Sequence, residues 1–216
     1  WFGNNITTKD HADMWVHESF AYYSEGLYTE CLFGKQSGAD YIVGNRRGIR
    51  NDRPVIPAAY GVNAQGSGDM YPKGGEMLHT IRQIVNDDEK WRGILRGLNQ
   101  TFWHQTVTGS QVQDYISKGA DTDLSKVFAQ YLTTIKIPVL EYAVDGAVVK
   151  FRWANVVPGF NMPVKVRLAG DAYEWVHPTE QWQTAKFALP DATDFKVDVN
   201  FYVERKNVGA ASPPGN

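Results

Sequence analysis

The sequence predicts an α+β fold in which a helical region is followed by a small antiparallel β-sandwich. In the first 136 residues, apolar side chains recur at steps of three and four, which is the spacing of one helix face. After Pro138 the apolar residues instead alternate with polar ones, the pattern of a half-buried strand. An Asp145-Gly146 pair, a strong hairpin signal, separates two of the alternating segments. The predicted division is a helical domain over 1–136, a β-sandwich over 137–207 and a flexible tail over 208–216.

Six helices are predicted in the first region, and several are bounded by residues that favour helix ends. Asp10 is a suitable N-cap for the first helix, and Gly34 is a natural stop for it. Pro72 suits the first turn of the third helix, because its missing N–H would be unpaired there anyway. Asp123 is the predicted cap of the last one. The predicted helices are 10–31, 37–49, 72–85, 87–102, 110–117 and 124–134.

The second region contains six or seven short alternating segments in about 70 residues, a density that is typical of a β-sandwich. The longest of them is 195–203, where Phe195, Val197, Val199, Phe201 and Val203 alternate with polar residues. The Asp-Gly turn joins two further strands into a hairpin. The other predicted strands are 139–144, 147–153, 163–168, 173–176 and 183–189.

Composition excludes several classes of function. The chain has 216 residues, with 22 basic and 24 acidic side chains mixed along it and a formal net charge of −2. Nucleic-acid binding needs a clustered basic surface, which this distribution does not provide. No apolar run approaches the length of a membrane span. The single cysteine, Cys31, cannot form a disulfide within the chain.

One face of the first predicted helix combines two carboxylates with large rings. Trp15 and Glu18 are three residues apart, Tyr22 follows four residues later, and Glu25 lies seven beyond Glu18. A carboxylate on such a face is either a buried structural group with hydrogen-bond partners or a metal ligand. From these residues alone the structural interpretation is favoured, because most buried carboxylates are simply paired.

Two neighbouring segments resemble half of a zinc-peptidase site. Residues 1–7 have the sequence Trp-Phe-Gly-Asn-Asn-Ile-Thr, and residues 15–21 have the sequence Trp-Val-His-Glu-Ser-Phe-Ala. They are similar to the gluzincin metallo-aminopeptidases, the family of alanyl aminopeptidases and leukotriene hydrolase. The family pattern is His-Glu-x-x-His, Trp-x-Gly-Asn and Trp-Leu-Asn-Glu-Gly-Phe-Ala. With Trp1 in the Trp-x-Gly-Asn position, the second family histidine falls two residues before it. Glu18 then falls at the third zinc ligand, with the family's eighteen intervening residues.

A second match lies 53 residues after Glu18, where Tyr71-Pro72-Lys73-Gly74 resembles the family's Tyr-x-Lys-Gly signature at a helix start. Taken alone this is a weak signal, since a core tyrosine at a helix start has the same appearance. The resemblance implies that Tyr71 donates a hydrogen bond to the oxyanion of the tetrahedral intermediate. A phenol stays protonated at neutral pH, and a preorganised donor of this kind lowers the barrier by a few kcal/mol.

The resemblance implies a zinc aminopeptidase that hydrolyses the amino-terminal bond of peptides with a free N-terminus. It makes Tyr71 a catalytic residue and Glu18 a zinc ligand, with Glu25, Trp15 and Asn4 supporting or lining the site. The helical region would be the C-terminal half of the catalytic domain. The His-Glu-x-x-His helix is not within the chain, and catalytic zinc takes three protein ligands. We therefore expect zinc only together with a missing N-terminal part of the same polypeptide, and we expect the chain alone to be metal-free and inactive.

The chain departs from the family pattern at His17, where asparagine is usual, and at Ser19, where glycine is usual. His17 lies one helical step, about 100°, from Glu18 and is not expected to share its metal. The hydroxymethyl group of Ser19 is expected to narrow the site. Both departures bear on fine specificity more than on reaction class.

The segment 51–70 contains two prolines and three glycines and shows no clear periodicity. A loop of this length inside a compact domain is usually functional or mobile. Because it leads directly into Tyr71, we interpret it as a loop that lines the site. A solvated connector is the alternative.

A second function is compatible with the same residues. The chain would then be a noncatalytic homologue of the family, a scaffold or binding module that contacts a partner through its β-sandwich. Trp175 and Trp182 would form an aromatic patch, although core packing is the commoner use of such side chains. A His-Glu-x-x-His motif ending two residues before Trp1 would favour the peptidase, and replacement of either histidine would favour the scaffold. Epoxide hydrolysis, which belongs to the leukotriene hydrolase branch, has no specific support in the sequence.

Overall fold

A computed structural model describes residues 2–167, 172–186 and 195–209. The chain divides into two compact units, Trp1–Lys136 and Ile137–Asn216. Its combination of helices with largely antiparallel sheets confirms the predicted α+β class. The helices of the first unit are α1 (Phe2–Asn5), α2 (Trp15–Phe33), α3 (Lys35–Gly44), α4 (Pro72–Val85), α5 (Asp88–Thr101), α6 (Gly109–Ala120) and α7 (Ser125–Thr133). Two short parallel strands, β1 (Thr7–Thr8) and β2 (Thr106–Val107), accompany them.

The first long helix, α2, begins later than the sequence predicts. His11–Asp13 forms a separate 3₁₀ turn, and the Asp10 side chain caps that turn by accepting the N–H of Ala12 at 2.9 Å. The α-helix starts only at Trp15, and it ends at Gly34, whose φ is 92°. Asp10 is therefore a cap, but of a shorter element than predicted.

The other helices follow local signals with varying accuracy. Helix α4 has the bounds predicted for it. Helix α3 ends early at Gly44, because Asn45–Gly48 tightens into a 3₁₀ turn. Helix α6 is longer than predicted at both ends. Its start is set by a capping box, in which Thr108 and Gln111 each bond the backbone of the other.

Aromatic side chains dominate the core of the helical unit. Trp15 is fully buried and packs against Phe20 and Phe128, with ring centroids 6.4 and 6.1 Å away. Trp91 packs edge-on against Tyr23 and donates its indole N–H to that hydroxyl at 3.0 Å. These contacts hold α2 against α5 and α7.

An ion cluster links the end of α2 to α4 and α5. Arg82 of α4, whose side chain is 6% exposed, donates both terminal nitrogens to Glu30 of α2 at 2.6 and 3.0 Å. Its Nε–H donates to Asp88 of α5 at 2.9 Å. These hydrogen bonds lower the pKa of Glu30 and bring the pKa of Asp88 to about 2, because they stabilise the charged carboxylates.

This cluster predicts a loss of stability in acid. A carboxyl group with a lowered pKa in the folded state stabilises the fold above its unfolded pKa, and the contribution disappears as the pH falls through its folded pKa. For Asp88 the interval runs from 3.8 down to about 2. We expect the free energy of unfolding, measured by urea denaturation, to decrease between about pH 4 and pH 2. An Arg82→Met variant should show a smaller decrease over the same interval, and an equal decrease would assign the effect to other carboxylates.

The described residues of the second unit form two sheets. Their strands are β3 (Val139–Asp145), β4 (Val148–Ala154), β5 (Val164–Arg167), β6 (Glu174–Val176), β7 (Gln183–Lys186), β8 (Lys196–Val197) and β9 (Glu204–Asn207). One sheet has the order β7-β4-β3-β9 and the other has the order β6-β5-β8. The predicted hairpin is present, with Val139 opposite Ala154 and Asp145 opposite Val148. The sequence predicts purely antiparallel pairing, but β9 pairs with β3 in parallel. Parallel neighbours cannot be joined by a hairpin, and here the other strands of the unit lie between β3 and β9 in the sequence.

The buried faces of these strands carry the core of the second unit. Leu140 and Tyr142 of β3 are buried, as are alternate residues of β4. Tyr142 stacks on Phe195 with ring centroids 4.0 Å apart. Trp153 of β4 donates its indole N–H to the carbonyl of Met162 at 3.0 Å.

The long strand predicted over 195–203 is wrong. Only its second and third residues are a strand, β8, and the chain then turns before β9. The Asp198 carboxylate accepts the backbone N–H of Asn200 at 3.0 Å, and the Asp198 carbonyl accepts the N–H of Phe201 at 3.1 Å. An aspartate that bonds the backbone two residues on favours a turn, whatever the alternation around it. Val199, at the turn, is 55% exposed.

Parts of three predictions lie outside the described residues. They are the last residue of the strand 163–168, the last three of the strand 183–189, and the tail from 210 onward. Within the described ranges, no helix combines the length and the apolar character that crossing a membrane requires.

Candidate active site

Helices α2 and α4 are in close contact where the sequence places the site. A Cβ added to Gly74 would lie 1.9 Å from the Oγ of Ser19, and one added to Gly75 would lie 2.9 Å from the Cδ1 of Tyr22. The two glycines therefore let α4 approach α2 more closely than larger residues would permit. This approach brings the early part of α2 beside the N-terminus of α4.

Tyr71 occupies the N-cap position of α4 and follows a buried stretch of backbone. The 3₁₀ turn Gly68–Met70 precedes it. The buried Asp69 carboxylate accepts the backbone N–H groups of Arg50 and Asn51 at 3.0 and 2.6 Å. The chain on the N-terminal side of Tyr71 is thereby anchored, so its backbone position is set by the loop as well as by α4.

Glu18 and Tyr71 meet at this contact between the helices. The Tyr71 hydroxyl lies close enough to the Glu18 carboxylate to be influenced by its charge. Burial raises the pKa of Tyr71, and the negative charge of the nearby Glu18 raises it further. The Tyr71 side chain is nevertheless 42% exposed, and its ring lies edge-on to that of Tyr22 with centroids 6.5 Å apart. A phenol that keeps its proton is thus presented to solvent beside a carboxylate.

The other three predicted site residues have different surroundings. Trp15 is fully buried in the aromatic core. Glu25 is exposed two turns further along α2 and accepts the hydroxyl of Tyr41. Asn4 is exposed on α1. Among the described residues, Glu18 and Tyr71 are the two predicted site residues from distant parts of the sequence that lie beside each other.

The two residues that depart from the family pattern both bond to backbone. The Nε2 of His17 accepts the N–H of Thr8 at 3.2 Å, and burial lowers the pKa of His17, which favours the neutral ring that can accept. Ser19 is fully buried and donates to the carbonyl of Met70 at 2.8 Å. Its hydroxymethyl group therefore fills the contact between α2 and α4, and does not narrow the site as expected.

Comparison with known proteins settles the family. Residues 1–131 match the family described as Peptidase family M1 domain. The matched residues are more than half of the chain. The chain belongs to peptidase family M1. The resemblance to gluzincin aminopeptidases that its sequence motifs indicate is thus confirmed.

The relatives of this M1 chain are much longer than it is. It is 27% identical over 156 residues to a leucyl aminopeptidase of Saccharolobus solfataricus, covering 68% of this chain and 20% of the relative. It is 20% identical over 214 residues to endoplasmic reticulum aminopeptidase 2 of Homo sapiens, covering 82% of this chain and 22% of the relative. The M1 chain therefore spans about a fifth of the length of these two relatives.

A solved structure shares the fold. The crystal structure of Legionella pneumophila aminopeptidase A in complex with aspartic acid matches with a TM-score of 0.71, over 95% of this chain and 25% of that one. The two sequences are 16% identical over this match, so the likeness concerns the fold alone.

The loop 51–70 of the M1 chain contacts the helical unit near its two ends and through Tyr60, while its middle, 58–63, is exposed. Val55 is buried, and the N–H of Ile56 donates to the carbonyl of Leu132 at 2.8 Å. Further along, the Tyr60 hydroxyl donates to the buried Asp13 at 3.0 Å, and burial together with the charge of Asp13 raises the pKa of Tyr60 to about 12. These contacts anchor parts of the loop to the helical unit, and the loop that lines the site stays a prediction.

Asp13 and Glu76 are buried polar residues that the sequence does not single out. Asp13 accepts the N–H of Gly109 at 2.8 Å, at the start of α6, where the helix dipole favours a carboxylate. Glu76 of α4 is fully buried and pairs with Arg46 at 2.8 Å, yet burial raises the pKa of Glu76 to about 7. Their partners are 96 and 30 positions away in the sequence, so no local pattern reveals either contact.

The described residues do not assemble a metal site by themselves. Across residues 2–167, 172–186 and 195–209, no group of three or more His, Cys, Asp or Glu is placed to hold a metal ion. A carboxylate oxygen such as that of Glu18 suits zinc as one ligand. Catalytic zinc takes three protein ligands, so the described residues do not make a complete set.

Proposed function

We propose that this M1 chain is part of a zinc aminopeptidase and contributes two groups to its active site. Tyr71 stabilises the oxyanion, and Glu18 is one of the zinc ligands. The observation that carries the proposal is the proximity of these two side chains, which are 53 residues apart in the sequence, where α2 contacts the start of α4. The family and the aminopeptidase names of the relatives support the reaction class and a peptide substrate with a free N-terminus.

Tyr71 has the properties of an oxyanion donor. When a nucleophile adds to a peptide carbonyl, negative charge develops on the oxygen, and a donor fixed in advance stabilises that charge. The raised pKa of Tyr71 keeps its proton in place at neutral pH. Its partial exposure leaves the ring accessible from the solvent side. The edge-on contact with the Tyr22 ring restricts the orientation of the Tyr71 side chain before substrate binds.

Glu18 would act through the metal. Zinc, when bound, activates water as the nucleophile and polarises the scissile carbonyl. Glu18 supplies one carboxylate to it, and the remaining ligands come from a part of the polypeptide outside this chain. The chain alone is therefore proposed to hold no zinc and to hydrolyse nothing.

The domain organisation and the supporting residues belong to the same proposal. The helical peptidase part spans 1–136 and a β-sandwich spans 137–207; the two compact units and the two sheets support this division. Trp15 supports the site from the core by fixing the start of α2, while Glu25 and Asn4 line the approach to it.

The test is hydrolysis of leucyl and alanyl p-nitroanilides. We would compare the 216-residue chain with a longer polypeptide that includes the segment preceding Trp1. The longer polypeptide should contain about one zinc ion per molecule, cleave the substrates, lose activity with a chelator and ignore N-acetylated substrates. The chain alone should show neither zinc nor hydrolysis.

Two outcomes would change the assignment. A longer polypeptide that folds but cleaves neither substrate, with or without added zinc, favours the noncatalytic scaffold. Hydrolysis by the 216-residue chain contradicts the proposed division of zinc ligands between two parts of the polypeptide.

A further inference from the structure

Ser19 makes a hydrogen bond that connects the two helices of the site. Its hydroxyl donates to the Met70 carbonyl at 2.8 Å, and the two residues are 0% and 2% exposed. Serine hydroxyls within helices often bond the backbone of their own helix, as Ser24 does with the Phe20 carbonyl at 2.7 Å. Ser19 instead bonds a residue 51 positions away.

The bond joins the immediate neighbours of the proposed catalytic pair. Ser19 follows Glu18 directly, and Met70 directly precedes Tyr71. Consecutive Cα atoms are a fixed distance of about 3.8 Å apart, so a bond between the neighbours limits how far Glu18 and Tyr71 can separate. A displacement of the start of α4 relative to α2 would break it.

The surroundings of Ser19 leave its side chain little freedom. A Cβ on Gly74 would lie 1.9 Å from the Oγ and 2.6 Å from the Cβ of Ser19, so the serine lies directly against the backbone of α4. Close packing of this kind restricts the rotamers that the hydroxymethyl group can adopt. Because Ser19 is fully buried, solvent does not compete for its hydroxyl, which strengthens the bond to Met70.

We propose that Ser19 is a positioning residue for Tyr71: its hydroxyl holds the backbone before Tyr71 against α2, so that the phenol keeps its place beside Glu18. This inference deepens the proposed function and rests on it. Because glycine is usual at the Ser19 position in the pattern that the chain resembles, the bond is a feature of this chain rather than of the pattern.

The first test is Ser19→Ala in the longer polypeptide. Alanine keeps the Cβ and removes only the hydroxyl. We expect kcat to fall roughly 3- to 10-fold with KM unchanged, because one hydrogen bond that positions Tyr71 is lost. Ser24→Ala is the matched control, since it removes a serine hydroxyl of the same helix that bonds only within α2, and kcat should not change.

A double variant separates positioning from a general structural role. If Ser19 acts through the Tyr71 hydroxyl, Ser19→Ala should lower kcat no further in a Tyr71→Phe background, where the positioned group is already absent. An equal loss in both backgrounds overturns the proposal, because it shows that Ser19 acts independently of Tyr71.

A measurement on the 216-residue chain is independent of activity. The N–H groups of Tyr71 and Gly75 donate to the carbonyls of Gly68 and Tyr71 at 3.2 and 2.9 Å. Their hydrogen exchange should accelerate several-fold in Ser19→Ala, while exchange at Ile81, further along α4, should not change. Unchanged exchange at Tyr71 and Gly75 overturns the inference, whatever the activity. Exchange could accelerate while the longer polypeptide hydrolyses nothing. That result would show that the bond from Ser19 to Met70 stabilises the start of α4, but it would contradict the proposed function and, with it, the positioning role.

Discussion

Replacing Tyr71 with phenylalanine in the longer polypeptide should lower kcat about 10²- to 10³-fold, the usual effect of removing one oxyanion donor. Phenylalanine keeps the ring and its edge-on contact with Tyr22. Only the hydroxyl is lost, and with it the donor that meets the negative charge of the transition state. KM should change little, because the hydrogen bond to the oxyanion is absent from the ground state.

The measurement is steady-state hydrolysis of a leucyl substrate, together with the zinc content of each protein. Tyr28→Phe is the matched control, because it removes the same hydroxyl from a tyrosine of α2 that is 67% exposed. Its kcat should equal that of the unsubstituted protein. A Tyr71→Phe protein with unchanged kcat would contradict the catalytic role.

Glu18→Gln should differ from Tyr71→Phe in kind. An amide is a poorer zinc ligand than a carboxylate, so we expect this variant to lose zinc as well as activity. Tyr71→Phe should keep its zinc and lose only kcat. If both variants lost zinc to the same extent, Tyr71 would act on the metal site or on folding rather than on the oxyanion.

Arg82→Met should lower the free energy of unfolding by about 3–5 kcal/mol, the range found when one partner of a buried ion pair is removed. Methionine fills a similar volume but leaves Glu30, 12% exposed, without the two hydrogen bonds from the guanidinium. Asp88 loses its bond to the same group. Three helices, α2, α4 and α5, meet at this cluster, so their packing is loosened together.

Urea denaturation at neutral pH measures this loss. Arg92→Met is the control, because Arg92 lies 3.5 Å from the same Glu30 carboxylate but is 46% exposed. Exposed ion pairs contribute little, so the control should change the unfolding free energy by no more than about 1 kcal/mol. Equal effects of the two substitutions would show that burial does not distinguish these two arginines.

Some elements of the fold are predictable because their signals are local. Helix α4 has the predicted bounds, since Pro72 marks its first turn and Met77, Leu78 and Ile81 recur at helical spacing. The Asp145-Gly146 pair likewise predicts the hairpin of β3 and β4.

Two errors share one physical cause. The Asp10 side chain accepts the N–H of Ala12, and the Asp198 side chain accepts the N–H of Asn200. In both places an aspartate bonds the backbone two residues on, which replaces regular structure with a turn. The apolar spacing around it is unchanged, so counting periods predicts a helix that starts too early at Asp10 and a strand that runs on past Val197.

The sequence predicts which residues form the candidate site, but it does not predict how they are arranged. Glu18 and Tyr71 follow from motifs and their spacing, and helical periodicity places Glu18 on one face with Trp15. Yet Trp15 turns into the aromatic core while Glu18 remains half-buried beside Tyr71. Two side chains three residues apart on a helix lie near one another, but the elements packed against the helix determine which of the two is buried.

Helix and hairpin formation in this chain depend on residues within about four positions of each other, and they are therefore encoded locally. The meeting of Glu18 with Tyr71, the bond from Ser19 to Met70 and the burial of Arg82 depend instead on contacts between segments that are 51 to 53 residues apart. Such contacts form only when side-chain shape allows two helices to approach, as Gly74 does against Ser19. Shape complementarity between distant segments is a property of the packed chain. Local patterns therefore identify the residues of the site, and tertiary packing brings them together.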